Sequence, residues 1–153
     1  MGRWILGLLL VAMALGQLSD PAGFVDIVET YDLGGRGLAW LIAGLVFVGE
    51  AIGGALLLVP AATDAGRRRQ RRGAAVALVV AIGWSILAVQ AFARGLDVPN
   101  CGCFGVHLGQ RLRWWILLED LEFMALAWWV GRKLGPEARA SDVTPQPVPT
   151  STG

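Results

Sequence analysis

The sequence predicts an all-α, polytopic membrane protein, a bundle of four transmembrane helices with a short amphipathic helix outside it. Hydrophobic residues make up 55% of the 153 residues and charged residues 16%, which is too apolar and too charge-poor for an average soluble domain. The chain also contains four apolar runs, three of them near the roughly 20 residues that a membrane-spanning helix needs. Its length allows one domain, which we place at residues 1–134.

The first apolar run, Trp4–Leu18, is shorter than the others. A short apolar run after Met-Gly-Arg is also typical of a cleaved signal peptide. No clear Ala-x-Ala site follows this run, and a bundle of three helices would be incomplete, so we expect a retained helix. The other three runs are Leu38–Pro60, Gly73–Ala93 and Leu112–Gly131.

The segment between the first two spans predicts the short outer helix. Apolar side chains recur there at helical spacing, with acidic residues between them: Phe24, Ile27, Val28 and Tyr31. Such a helix would lie at the membrane surface or cap the bundle. A group of glycines that begins at Gly34 ends it before the second span.

Basic residues next to the spans predict the orientation of the chain. Arg3 precedes the first span, five arginines in residues 67–72 link the second to the third, and Arg132 and Lys133 follow the fourth. The positive-inside rule then places both termini in the cytoplasm and the loop between the third and fourth spans on the other side of the membrane. This topology signal accounts for the arginines, so the sequence predicts no nucleic-acid partner.

The C-terminal segment 135–153 is rich in Pro, Ser and Thr and has no apolar period. Such a composition does not supply enough apolar surface for a packed core. We therefore expect a disordered cytoplasmic tail.

Both cysteines of the chain lie in VPNCGCFG, with Gly102 between Cys101 and Cys103. A disulfide needs Cα atoms about 4.4–6.8 Å apart, which residues i and i+2 reach only with a bend that glycine allows. The ring would be small, so it would contribute little stability, and its strain would make the bond easier to reduce. The pair therefore suits thiol–disulfide exchange outside the cytoplasm, where disulfides persist.

Two other interpretations of the cysteines remain open. They can be inert thiols or a passive disulfide, or they can join His107 in a C-x-C-x₃-H metal site. Zinc sites usually space their cysteines two to four residues apart, and a fourth ligand is missing here. We therefore assign no metal.

Acidic residues inside apolar spans are costly, so they indicate a partner or a function. Glu50 lies in FVGEAIGG, where Gly49 and Gly53 would let a neighbouring helix approach closely. We expect Glu50 to face the bundle interior, with a role either in packing or in proton handling.

The fourth span begins RLRWWILLEDLEF, which places Glu119 and Glu122 on one face and Asp120 about 100° away. Two interpretations are open: the charges pair to fasten the third and fourth spans, or they form a polar pocket beneath the cysteines that handles protons. A nearby arginine could also lower the pKa of a thiol. The arginines at this depth are Arg94, Arg111 and Arg113.

The element NCGCFG, before a final span that opens with Trp-Trp and carries Asp120, resembles the MauE family of methylamine-utilisation membrane proteins, within the broader DoxX-like group. GFVDIVETYDL and a second span with Glu50 followed by glycines agree with it, so the resemblance covers residues 1–134. The resemblance implies a four-helix bundle in the inner membrane. It also implies a role in maturing the disulfide-rich small subunit of methylamine dehydrogenase, beside a thioredoxin-like partner.

The function predicted from the sequence is electron or disulfide exchange between Cys101–Cys103 and an extracytoplasmic thioredoxin-like protein, which supports maturation of a disulfide-rich exported substrate. One alternative is a non-enzymatic assembly subunit, and another is a quinone-binding DoxX-type subunit of a respiratory complex. Four-helix quinone-linked thiol oxidoreductases use additional cysteines, whereas this chain has one pair. Whether the chain is itself an enzyme, and whether quinone is its cofactor, stays open on the sequence.

Overall fold

The computed structural model describes residues 1–60 and 62–134, and these residues form five helices and no strand. The predicted all-α class is confirmed. The helices are α1 (Gly2–Ser19), α2 (Pro21–Glu29), α3 (Arg36–Leu58), α4 (Asp64–Ala93) and α5 (Trp114–Lys133). The predicted disordered tail, 135–153, lies outside the described residues.

The four long helices pack in a ring, with α1 on α3, α3 on α4, α4 on α5 and α5 back on α1. Glycines allow the closest approaches. A Cβ atom on Gly73 of α4 would lie 2.9 Å from the carbonyl oxygen of Gly53 of α3, and one on Gly54 would lie 3.1 Å from that of Gly7 in α1. Small residues at these crossings therefore set the spacing of the bundle.

Helices α1, α3 and α4 are long and apolar enough to cross a membrane, which indicates a multi-pass membrane protein. Their outward faces carry exposed large apolar side chains, as lipid contact requires. Helix α5 has a similar length, 20 residues, but contains three acidic residues. Its exposed residues include Leu118, Leu121, Trp128 and Trp129 but also the carboxylates of Glu119 and Glu122.

Helix α2 is the short outer helix that the sequence predicts. Asp20 caps it by accepting a hydrogen bond from Gly23 N at 2.9 Å, and Pro21 occupies its first turn. Phe24 and Val28 are buried in the same core as α3 and α4. The sequence left open whether α2 lies at the membrane surface or covers the end of the bundle, and the structure shows that it covers the bundle.

Helix α4 begins nine residues before the apolar run that predicts it, at Asp64 rather than Gly73. The arginine-rich segment is therefore helical, not a connecting loop. Thr63 supplies the N-cap, its hydroxyl accepting from Gly66 N at 3.1 Å, and arginine is a good helix former. At 30 residues the helix is about 45 Å long, so its basic first turns extend beyond a hydrocarbon layer of about 30 Å.

The basic residues meet at one end of the bundle. Arg3 Nη1 donates to the carbonyl of Val59 at 3.4 Å, and Gln70 Nε2 donates to the same carbonyl. Gly2 lies against Trp129 near the end of α5. Helix α5 therefore runs antiparallel to α4 across the same thickness, and the cysteine loop lies at the opposite end.

Candidate functional site

The loop between α4 and α5 is closed at its base by two backbone hydrogen bonds. Cys101 N donates to Gln110 O at 2.7 Å, and Leu112 N donates to Val98 O at 3.0 Å. These bonds hold the two arms of the loop side by side. The backbone at both ends of the cysteine segment is therefore held in place by hydrogen bonds.

Asn100 shapes the turn that carries the cysteines. Its Oδ1 accepts from Gly102 N at 3.0 Å, and its Nδ2 donates to Gly105 O at 3.1 Å. An asparagine that bonds the backbone two residues on is a common turn former. Gly102 has φ +89°, so the bend predicted at this glycine is present.

The turn brings the two free thiols together, with 3.5 Å between Cys101 Sγ and Cys103 Sγ. A disulfide needs about 2.05 Å, so the turn must close slightly further to form one. Cys101 is 4% exposed, whereas Cys103 is half-buried. The two sulfur atoms are thus neighbours in different surroundings.

The two thiols also differ in their pKa values. When Cys101 is ionised, the Cys103 thiol can donate to it, and this hydrogen bond lowers the pKa of Cys101 to about 7. The same interaction, together with burial, raises the pKa of Cys103 well above its usual value. Near neutral pH, Cys101 is therefore the nucleophilic thiolate and Cys103 the thiol.

This difference in pKa predicts the pH dependence of alkylation. The rate at Cys101 should rise with pH and reach half of its maximum near pH 7, because the thiolate fraction grows through its pKa. Peptide mass spectrometry after short iodoacetamide pulses measures that rate. Cys103→Ala removes the donor and should move the midpoint toward about 8.5, the value of a free cysteine. A midpoint that Cys103→Ala leaves unchanged would contradict this assignment.

Glu50 is fully buried in the bundle interior, as its position between two glycines predicts. Its Oε2 accepts from Gln17 Nε2 at 2.8 Å, and its Oε1 accepts from Trp84 Nε1 at 3.2 Å. Gln17 Nε2 also reaches the carbonyl oxygen of Cys103, at 3.5 Å. A polar connection therefore runs from α3 through α1 to the backbone of the cysteine turn.

Tyr31 holds the turn from the side of α2. Its hydroxyl donates to the carbonyl of Cys101 at 3.0 Å, and its ring packs at 6.4 Å from that of Trp84. Burial raises the pKa of Tyr31, so the hydroxyl keeps its proton and remains a donor. Tyr31 thereby links α2 to the cysteine loop.

The arginines in and beside the cysteine loop have partners other than the α5 carboxylates. Arg94 bonds to Asp32, Arg111 lies 3.8 Å from Asp97, and the Arg113 guanidinium lies 5.3 Å from the Trp115 ring centroid. Within residues 1–60 and 62–134, no ion pair joins α4 to α5. Of the two interpretations that the sequence left open, the one in which charge pairs fasten these helices is not supported, because these arginines lie in or beside the loop, within reach of nearer partners.

Asp120 and Glu119 instead accept hydrogen bonds from neutral side chains. Ser85 Oγ of α4 donates to Asp120 Oδ2 at 3.2 Å, and Gln110 Nε2 donates to Glu119 Oε1 at 3.3 Å. The Ser85–Asp120 bond is a polar link between α4 and α5. This bond holds the Asp120 carboxyl group beneath the cysteine loop.

A pocket of about 110 Å³ lies beneath Cys103, between α1, α4 and α5. Asp120 and Glu119 contribute to its lining, as does Trp84, and the remaining walls are apolar. A pocket is therefore present beneath the cysteines, but its walls are mainly hydrophobic, whereas the sequence suggested a polar pocket. A role of this pocket in proton handling stays a prediction.

His107 binds α1 rather than the cysteines. Its Nε2 lies 2.9 Å from Ser19 Oγ. In the described part of the chain, no group of three or more His, Cys, Asp or Glu side chains is arranged to hold a metal ion. His107 therefore fastens the loop to the end of α1.

Several residues of the site were not predicted from the sequence. Gln17 stood at the end of an apolar run, where a polar residue in a membrane span is itself a signal. Asn100 before a Gly-containing turn was a second signal. Trp84 donates to Glu50 across 34 positions, a contact that no local pattern indicates, and Tyr31 was placed only on the apolar face of the predicted outer helix.

Comparisons with known proteins point to one family. The family model described as methylamine utilisation protein MauE matches residues 1–132. A curated relative from Paracoccus denitrificans, methylamine utilization protein MauE, is 34% identical over 129 residues, which cover 82% of this chain. The chain spans 63% of the length of that relative. No solved structure matches the chain.

Proposed function

Because this chain belongs to the MauE family, we propose that it carries out thiol–disulfide exchange with an extracytoplasmic thioredoxin-like protein through Cys101 and Cys103. The exchange would support the maturation of a disulfide-rich exported protein. The name of the relative, methylamine utilization protein, favours a substrate of the methylamine dehydrogenase type.

The proposal rests on two sulfur atoms 3.5 Å apart whose pKa values are shifted in opposite directions. The Cys101 thiolate attacks one sulfur of the partner's disulfide, and the other partner sulfur leaves as a thiolate. Cys103 then loses its proton and attacks Cys101 Sγ, which releases the partner's second thiolate. Two electrons pass to the partner, and the reverse reaction uses the same mixed disulfide.

The proposed orientation places the cysteine loop outside the cytoplasm and makes α5 the fourth span. Helix α5 runs antiparallel to α4 and, with 20 residues, is about 30 Å long. Arg113 lies over Trp115 at one end, and Arg132 lies over Trp128 at the other, 4.7 Å from the ring centroid. Such aromatic and basic pairs are typical of membrane interfaces, and the arginine-rich end would face the cytoplasm.

A mixed-disulfide trap tests the proposal. In Cys103→Ser the resolving sulfur is missing, so Cys101 should retain its partner as a covalent adduct visible on non-reducing gels. In Cys101→Ser the remaining thiol loses its interaction with Cys101, but burial still raises its pKa, so we expect about tenfold less adduct. The wild type, which resolves the intermediate, is the reference for both.

The double variant Cys101→Ser/Cys103→Ser separates exchange from assembly. Under the proposal it should give no adduct and should fail to support disulfide formation in the exported substrate. Normal substrate maturation in the double variant would overturn the proposal and would favour an assembly role for the loop.

A further inference from the structure

We propose that the pocket beneath Cys103 binds the ring of a membrane-soluble quinone, which accepts two electrons from the cysteine pair. This inference rests on the proposed function run in its reverse direction, in which two thiols of the partner reduce the Cys101–Cys103 disulfide and become a disulfide themselves. It names the molecule that then reoxidises the same pair. It assigns the two cysteines to different reactants, with the protein partner at Cys101 and the quinone at Cys103.

The first argument is access. Cys101 is 4% exposed and belongs to the core that includes Phe24 and Trp84, so a protein partner reaches it only when the turn opens. Cys103 is half-buried and lines the pocket between α1, α4 and α5. A reactant that meets Cys103 there lies between apolar helices, and it must itself be apolar.

The second argument is the size and lining of the pocket. An engineered apolar cavity of about 150 Å³ holds benzene, so a half-open pocket of about 110 Å³ fits a single ring that partly protrudes. The apolar walls come from side chains on three helices: Leu9, Met13, Val80 and Phe123. Leu9 is 36% exposed on the outward face of α1, which leaves an apolar path for an isoprenoid tail.

The third argument is the chemistry of the lining. Oxidation of two thiols releases two electrons and two protons, which is the stoichiometry that converts a quinone to a quinol. The Cys101–Cys103 bond forms, both sulfur protons leave, and the two quinone oxygens each gain a proton. Asp120 lies in the wall beside Cys103, held by Ser85, where a carboxyl group can pass a proton to the ring oxygen.

The chain itself offers no other thiol for these electrons. Its sequence contains two cysteines, so a relay through a second disulfide in this chain is excluded. An electron acceptor at Cys103 must be a different molecule. A quinone is apolar enough to enter the pocket, and it accepts the two electrons and two protons that the thiols release.

The test uses the full chain in lipid nanodiscs, reduced and then freed of reductant under anaerobic conditions. Decylubiquinone is added, and thiol loss by intact mass is followed beside quinol formation by ultraviolet absorbance. We expect one quinol for each cysteine pair that is oxidised. Thiols that stay reduced with decylubiquinone and also with a menaquinone analogue, while the water-soluble oxidant diamide oxidises them, would overturn the inference.

A matched pair of variants tests the pocket. Leu9→Trp fills the mouth of the pocket and should slow quinone-dependent oxidation about tenfold or more, because the ring is displaced from Cys103. Leu8→Trp makes the same change at the neighbouring residue, which is 58% exposed and does not line the pocket, and should leave the rate unchanged. Equal rates for both variants would overturn the assignment of the site.

The outcomes separate this inference from the proposed function. A Cys103→Ser adduct without quinone-dependent oxidation would overturn the quinone site and support exchange with the partner. Quinone-dependent oxidation without any adduct would support the site and overturn the exchange partner.

Discussion

Glu50→Leu is expected to lower the free energy of unfolding by roughly 2–6 kcal/mol, about 1–3 for each buried donor that loses its acceptor. The donors are Gln17 Nε2 and Trp84 Nε1, which bond to the two oxygens of Glu50 in a fully buried position. Thermal unfolding in detergent, followed by tryptophan fluorescence, measures the loss. Because Gln17 also reaches the Cys103 carbonyl, the thiols should become more reactive as well.

Glu50→Gln is the matched control for this prediction. Glutamine keeps one acceptor oxygen but presents an amide nitrogen to the second donor, so about half of the stability loss should remain. Val48→Leu, on the exposed side of the same helix, should leave stability close to that of the wild type. Equal stability of Glu50→Leu and Glu50→Gln would show that the two hydrogen bonds do not stabilise the bundle.

Gly105→Ala is expected to detach the cysteine turn from α1. Gly105 has φ +68°, and a Cβ atom there would overlap the backbone carbonyl of Gly16. A Cβ atom on Gly16 would in turn overlap the carbonyl of Phe104, so the two backbones are in direct contact. Because backbone atoms cannot rotate away as a side chain can, the turn must move. Alkylation of Cys101 should then rise about tenfold or more, since its cover is lost.

Gly95→Ala separates the clash from the backbone conformation. Gly95 has φ +67°, close to that of Gly105, but a Cβ atom there meets nothing within 4 Å. This variant should show only the cost of a left-handed alanine, about 1–2 kcal/mol, with Cys101 still protected. If Gly95→Ala exposes Cys101 as much as Gly105→Ala does, the contact with Gly16 does not fix the turn.

Both predictions concern how the thiols are covered. The turn is held against α1 by Gly16, Gln17 and Ser19, and it is held from the side of α2 by Tyr31. The proposed exchange requires Cys101 to leave this cover, since a partner sulfur must approach it in line. Loss of either set of contacts should therefore raise thiol reactivity and weaken control over which protein reacts.

Much of the fold followed from local composition. The four apolar runs correspond to α1, α3, α4 and α5. The first three of these helices are apolar enough to cross a membrane, since a helix that faces lipid must be apolar over most of its length. The sequence placed the start of α4 too late in the chain. The apolar run begins only after the arginines, whereas the helix extends through them to its N-cap at Thr63. The sequence left the position of α2 open, because its apolar face fits a membrane surface and a bundle core equally well.

The sequence by itself determined the helical class, the gathering of basic residues beside the spans, the cysteine pair with its glycine bend, and an inward Glu50. Each of these follows from side-chain type and short spacing. Only the tertiary structure decided which groups meet at the site. The Gln17–Glu50, Tyr31–Cys101 and Gln17–Cys103 bonds join residues 33, 70 and 86 positions apart, and the pocket needs three helices at once. Such contacts depend on how the helices rotate and cross, which the packing of small residues along the bundle fixes and local sequence does not.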